Sequence, residues 1–260
     1  MHGEFLRSVL EKENVDTKGL ILDEKYFTTL AFVNVNESGE RTFSFARKPG
    51  ADTKIQKEEV NIDVLDSTNI FHVGSLSLTD QPARDTTFYA VKRAKNKGSM
   101  ISYDPNYRAS LWKDEETAKQ HMRSLVPYAD LMKISDEEAE LLTDCKEVSK
   151  AAEILYQQGV KIVAITLGGK GAYIYSGEGG CMVPGFSVTK VEDTNGAGDS
   201  FWGGFLYKIS TSGKKLGELT QEELVRYARF GNAVASLCVE KKGAIPAMPN
   251  LQQVEERMGK

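Results

Sequence analysis

The sequence has 260 residues and a formal net charge of −4, with 33 basic and 37 acidic side chains interspersed along it. That length can bury the core of one α/β domain with a small appendage. No basic stripe with interleaved aromatics is present, which argues against a nucleic-acid partner, and no stretch is apolar for long enough to span a bilayer as a helix.

Cys145, Cys181 and Cys238 are scattered, odd in number and outside any C-x-x-C pair. A disulfide framework and a structural zinc site are therefore both disfavoured, and a reducing cytoplasm fits. The N-terminus carries no signal-peptide apolar region. His2, His72 and His121 lack metal-ligand spacing; His72, inside an apolar run, is expected in the packed core.

In chain order, residues 4–11 read as a short amphipathic helix with Phe5, Val9 and Leu10 on one side. Residues 28–35 and 41–47 alternate and are rich in β-branched and aromatic side chains, and Asn36-Glu37-Ser38-Gly39-Glu40 between them is a turn sequence. A β-hairpin is expected there, read either as a surface decoration or as a lid over a substrate. An isolated hairpin cannot bury both faces.

From residue 69 short apolar runs alternate with helical stretches. The runs are Ile70–Val73, Met100–Tyr103, Leu131–Ile134 and Ile162–Ile165, and helices are expected over 83–96, 115–125, 136–142 and 148–157. This alternation predicts an α/β fold with a mainly parallel sheet buried on both faces. The runs end at Gly74, Asp104, Ser135 and Thr166, where ligands of open α/β sheets bind. Further helices are expected over 222–239, with a narrow stripe of small residues suited to close packing, and over 252–258.

The stretch Asp193-Thr194-Asn195-Gly196-Ala197-Gly198-Asp199 sets two acids around a turn of small residues. Ala197, Phe201, Phe205 and Ile209 follow helical spacing, so the glycines fall at a helix start. There the bare amides and the helix dipole favour an anion, with Gly196 and Gly198 allowing close backbone approach. Asp199 reads in two ways: as a cap or dipole partner, or as a base that accepts a proton from a hydroxyl attacking a phosphate. Better-known phosphate motifs are excluded. Gly168-Gly169-Lys170-Gly171 lacks P-loop spacing, Phe201 stands where a dinucleotide fingerprint needs a third small residue, and no protein-kinase catalytic loop is present.

Asp-Thr-x-Gly-Ala-Gly-Asp resembles the C-terminal signature of the ribokinase-like (PfkB) carbohydrate kinases, and the resemblance runs along nearly the whole chain. It implies a ribokinase-like three-layer fold with a mainly parallel central sheet and a small β lid at about 28–47, all within one kinase domain over residues 1–260. It implies ATP, Mg2+ and K+ as cofactors, with Asp199 as base and Gly196, Ala197 and Gly198 as the anion hole. Asp104-Pro105-Asn106-Tyr107-Arg108 resembles the Asp-x-Asn-x-Arg strand end of the fructokinase branch, giving Asp104 to the substrate and Asn106 and Arg108 to ATP. Arg108 offers a rigid multi-donor fork for phosphate.

By the same resemblance Ser135 and Glu138 stand in an Asn-x-x-Glu motif, where Ser135 meets ATP and Glu138 acts on magnesium through water. Thr166, Gly168 and Gly171 match the turn against which the nucleotide lies, and Asn232 falls where adenine is contacted. Phe45 and Arg47, with Gly39-Glu40-Arg41, look like the sugar-facing side of the lid. Asp193 and Asn195, with carbonyls around Val239, Lys242 and Ala244, match a monovalent-cation loop; carbonyl oxygens suit a hard cation. The lid implies a homodimer.

The pattern departs from the family at the front. Members begin with a strand bearing a sugar-binding acid and a Gly-Gly-x-x-x-Asn segment, ahead of the point that matches His2-Gly3-Glu4-Phe5. The resemblance therefore implies a domain without its opening strand and with the sugar side only in part. A fructose kinase is the expected activity. 2-Keto-3-deoxygluconate, ribose, nucleoside and hydroxymethylpyrimidine branches share the signature. A nucleotide-binding or dimerising fragment without turnover is the reading of another class.

Overall fold

The computed structural model describes residues 1–35 and 41–259, and gives the backbone alone at 34, 35 and 41–43. Gly39, Glu40 and the turn expected at 36–40 lie outside the described residues, as does the side chain of Phe43. The chain divides into two compact units, Met1–Tyr128 and Ala129–Lys260.

In the first unit α1 (His2–Lys12) opens the chain and buries no side chain. The hairpin forms as expected: β1 (Leu30–Val35) and β2 (Arg41–Ala46) pair antiparallel, with Leu30 opposite Ala46 and Val33 opposite Phe43. A one-turn helix α2 (Ile62–Asp66), capped by the Asn61 side chain on the amide of Val64, was not anticipated from the sequence. Then β3 (Ile70–Gly74), α3 (Ala83–Asn96), β4 (Met100–Asp104) and α4 (Glu115–Leu125) alternate. The strands β3 and β4 pair in parallel, and their register sets Gly74 opposite Asp104. Helix α4 starts where Asp114 accepts the amide of Thr117 at 2.7 Å, and it buries Ala118, Met122 and Leu125. His72 is exposed rather than in the core, with Nδ1 2.9 Å from Ser102 Oγ.

In the second unit β5 (Leu131–Ser135), α5 (Asp136–Thr143), α6 (Val148–Gln157) and β6 (Ile162–Thr166) follow within a residue of their expected bounds. Strands β5 and β6 are parallel and set Ser135 opposite Thr166. Both are mostly apolar and buried, β5 being interrupted by Lys133, because both faces are covered. Two antiparallel strands extend the ladder: β7 (Gly171–Ser176) and β8 (Gly179–Pro184). The long helices α7 (Ala197–Thr211) and α8 (Gln221–Cys238) and the short α9 (Leu251–Arg257) complete the unit.

Helix α8 begins on a capping box: the Glu223 amide donates to Thr220 Oγ1 at 3.3 Å and the Thr220 amide to Glu223 Oε2 at 3.1 Å. Its stripe of small residues packs on α7. A β-carbon at Gly231 would lie 2.7 Å from the carbonyl oxygen of Phe201, so only glycine lets the helices approach so closely. Opposite it, Phe201, Trp202, Phe205 and Ile209 are all at most 2 % exposed. Burying each such side chain contributes about 1.5–3 kcal/mol. That packing fixes the axis of α7 and thus the place of its first turn. Among the described residues, no helix is long and apolar enough to cross a membrane.

Candidate active site

The turn before α7 is built from its own polar groups. Gly196 takes φ +76°, a conformation open to glycine at little cost, and stands as the N-cap. The amide of Ala197 donates to the carbonyl of Thr194 at 3.2 Å, and that of Ser200 returns to Gly196 at 2.8 Å. Ala197 therefore closes the turn with its own amide. The amides of Gly198 and Asp199 lie in the first turn, where a helix supplies no acceptor. Of the expected Gly196–Gly198 trio, the Ala197 amide is thus engaged within the turn. Asp199 is the third helical residue and is exposed.

The stretch ahead is pinned by Asp193. Its Oδ1 accepts the amide of Asn195 at 2.8 Å and its Oδ2 the amide of Gly243 at 3.0 Å. The carbonyl of Val239 accepts two amides, Glu192 at 2.8 Å and Asp193 at 3.2 Å. Both lone pairs of that carbonyl are engaged, so Val239 fits the expected cation loop poorly. Asp193, Asn195 and the 242–244 loop are brought together. Beneath them burial pushes the Cys238 thiol up; a hydrogen bond with Ser200 opposes this, and the carboxylates of Asp193 and Asp199 add to it.

A cavity of about 430 Å³ opens beside this helix start, a size suited to a small ligand. Thr166, Gly168, Gly171, Asn232, Ala197 and Gly198 all line it. All six were named from the sequence for nucleotide or phosphate, and they come from β6, the turn into β7, α7 and α8. Among them, Asn232 lines the cavity with its side-chain nitrogen already engaged: it donates to the carbonyls of Val183 at 3.0 Å and Pro184 at 3.1 Å. The turn is tight for a reason. A β-carbon on Gly171, at φ +105°, would come within 3 Å of the Val183 carbonyl and the Gly185 amide.

Ser135 and Glu138 form a capping box at the start of α5, with the Glu138 amide donating to Ser135 Oγ at 3.1 Å and the Ser135 amide to Glu138 Oε2 at 3.0 Å. Glu138 is half-buried while Asp136, Glu137 and Glu140 are exposed, which separates it from its acidic neighbours.

In the first unit Asp104 is 3 % exposed and its Oδ1 accepts the amide of Asn106 at 3.1 Å. This Asx turn holds Asn106 at φ +49° and leads into Arg108, whose Nη1 donates to the carbonyl of Tyr107 at 2.8 Å. Arg47 is 5 % exposed: Nε donates to Asp52 Oδ2, Nη1 to Thr79 Oγ1 and Nη2 to the carbonyl of Leu76, each at 2.7 Å. Its guanidinium is thus engaged at the root of the hairpin, a geometry that suits anchoring better than a sugar contact. Phe45 is half-buried.

The model of the pfkB family of carbohydrate kinases matches residues 1–251, across both units. The chain belongs to that family. Fructokinase-2 of rice is 39 % identical over 261 residues, covering 99 % of this chain and 76 % of the relative. A fructokinase of Xylella fastidiosa with bound ATP superposes with a TM-score of 0.91 at 32 % identity, covering 98 % of this chain and 81 % of that one. A double mutant of Vibrio cholerae fructokinase in fructose-, ADP- and potassium-bound form gives 0.89 at 31 %, covering 98 % and 80 %.

The fold of this pfkB-family kinase is ribokinase-like, as the signature implied. Several cavity residues had no mark in the sequence: Phe186, Ser187 and Val188 beyond β8, and Ala235 and Ser236 on α8. Only the placement of Gly185, which packs backbone to backbone on Gly169, could have pointed to the first group.

Proposed function

We propose that the protein transfers the γ-phosphoryl group of ATP to a hydroxyl of fructose. One observation carries this reading: a single cavity joins the Thr166–Gly171 turn to the first turn of α7, where Asp199 follows two residues that line it. ATP lies along that turn and Asn232, with its terminal phosphates towards the amides of Gly198 and Asp199. The carboxylate of Asp199 takes the proton of the attacking hydroxyl, and the amides and Arg108 stabilise the charge on the equatorial oxygens. No covalent enzyme intermediate is formed. Phe45 and Asp104 serve the sugar side, with Asn106 and Ser135 towards the nucleotide.

The half-buried Glu138, one oxygen committed to its capping box, fits a divalent ion held through water. Bound magnesium would screen the phosphate charge. Asp193, Asn195 and the carbonyls of Lys242 and Ala244 fit a monovalent cation, since the Asp193 carboxylate already reaches the 242–244 loop. Phe32 and Val33 of β1 are 57 % and 45 % exposed, which supports pairing of two hairpins in a homodimer. A cytoplasmic location accords with three free cysteines.

The test is a coupled ADP-release assay with Mg·ATP across a panel of acceptors. Fructose turnover is expected to exceed that of ketodeoxygluconate, ribose and nucleosides, and Asp199→Asn to lower kcat by about 10³-fold. Full-speed turnover by that variant would remove the base, and an acceptor better than fructose by orders of magnitude would replace the substrate. A chain that binds ATP without turnover would leave the reading of a nucleotide-binding fragment.

A further inference from the structure

Residues 185–188, which follow β8, belong to no helix or strand, yet Phe186 forms part of the cavity wall. The backbone there is tied by the amide of Gly185, which donates to the carbonyl of Lys170 at 3.1 Å. The half-buried Phe186 ring is held from the side of α8. It packs against the buried cluster of Phe230, Ala233, Val234 and Val254, and the guanidinium carbon of Arg229 lies 5.3 Å from its centroid. A cation over an aromatic face is attracted by the ring quadrupole. Here the cation belongs to a helix that is itself fixed against α7.

The contact sits at a defined end of the cavity. Asn232 and Val239 both line it from the side of α8, and Val239 stands by the turn ahead of α7, its carbonyl accepting the amide of Asp193. A helical rise of about 1.5 Å per residue sets Asn232 about 10 Å from Val239 along the axis, and Arg229 about 15 Å. Phosphates at the first turn of α7 therefore leave the far end, walled by Phe186, to the base. A planar heteroaromatic ring suits an aromatic wall.

We propose that Arg229 is a positioning residue for the nucleotide base: stacked on Phe186, it fixes that ring as the wall at the end of the cavity remote from α7. The assignment rests on the kinase reading above. Arg229 stands outside the cavity lining, so it acts through the ring and not on the ligand. It is exposed, so its replacement leaves the core intact.

Calorimetry with ADP and with inorganic tripolyphosphate separates base from phosphate. Wild type, Arg229→Met, Phe186→Leu and the double variant are compared, with thermal unfolding to verify folding. Arg229→Met is expected to raise the ADP dissociation constant about threefold to fivefold, the scale of one exposed cation–π contact, and to leave that of tripolyphosphate unchanged. Arg229→Lys, which keeps a cation within reach of the ring, is expected to recover part of the loss. In the Phe186→Leu background, removing the arginine is expected to do nothing further. An ADP affinity unmoved by Arg229→Met, equal losses for ADP and tripolyphosphate, or additive losses in the double variant each overturn the proposal.

Neither probe needs turnover, so the two readings fail separately. A wild type that shows this pattern yet phosphorylates no acceptor removes the kinase reading and leaves Arg229 in its role. An active enzyme in which the losses add removes Arg229 and leaves the kinase reading. A wild type that binds no ADP overturns both.

Discussion

The side-chain amide of Asn232, on α8, donates to the carbonyl of Val183 on β8 at 3.0 Å. A second bond to Pro184 makes it a clasp between the helix that sets α7 and the strand that leads to the cavity wall at Phe186. Asn232 is 6 % exposed, so its loss strands the carbonyl of the buried Val183 and releases that of the exposed Pro184. Asn232→Leu is expected to cost about 1–3 kcal/mol in urea unfolding and to raise KM for ATP more than KM for fructose. An unchanged unfolding midpoint would show that the two bonds contribute nothing to holding β8.

The position of Asn232 was legible in the sequence, but its hydrogen bonds were not, because they depend on a strand that the sequence hides. β8 reads Gly-Gly-Cys-Met-Val-Pro, with residues depleted from strands at both ends. Proline is tolerated because β8 is an edge strand, and Gly180 stands where a β-carbon would meet the Tyr173 side chain. The long periodic helices and the apolar strands gave clear signals, since burial on both faces leaves no polar interruption. Lys133 is the exception, and within an apolar run it carried no visible sign of direction. Arg47 shows the same limit from the other side. The resemblance to the family's lid implied a sugar contact, and only the folded turn shows Asp52, Thr79 and Leu76 around it.

Arg47 therefore offers a clean discrimination between anchoring and recognition. Removing a buried guanidinium leaves Asp52, Thr79 and a carbonyl without their donor; because Asp52 is 46 % exposed, the cost is about 2–3 kcal/mol rather than the full value for a buried pair. Arg47→Met is expected to lower the unfolding temperature with little effect on the fructose KM of the folded fraction. A large rise in KM at unchanged stability would return Arg47 to the sugar side.

Gly169 and Gly171, separated by Lys170 in one turn, should respond unequally to alanine. Gly171 has φ +105° and no room for a β-carbon, whereas a β-carbon on Gly169 would meet nothing within 4 Å. Gly171→Ala is expected to lose about 2 kcal/mol or more and to weaken ATP binding, and Gly169→Ala to stay within about 1 kcal/mol of wild type. Equal effects would mean that the turn is not held by the backbone contact with β8.

The acid side of the stability curve should carry the signature of one pair in the first unit. Asp66 receives Arg93 in a fork, Nε to Oδ1 at 2.6 Å and Nη2 to Oδ2 at 2.8 Å, with Lys97 at 3.2 Å. The Arg93 hydrogen bonds hold its carboxyl below the ordinary value of 3.8; partial desolvation opposes this and Lys97 adds to it. A carboxyl whose folded value is depressed binds protons more readily when unfolded, so its contribution is present above the unfolded value and is lost as pH falls through the folded one. Asp66→Asn is therefore expected to be less stable than wild type at pH 7, with the gap narrowing steadily below about pH 4. Urea midpoints of both proteins between pH 7 and pH 3 measure it, and a gap that stays constant across that range would mean that the fork contributes no charge-dependent stability.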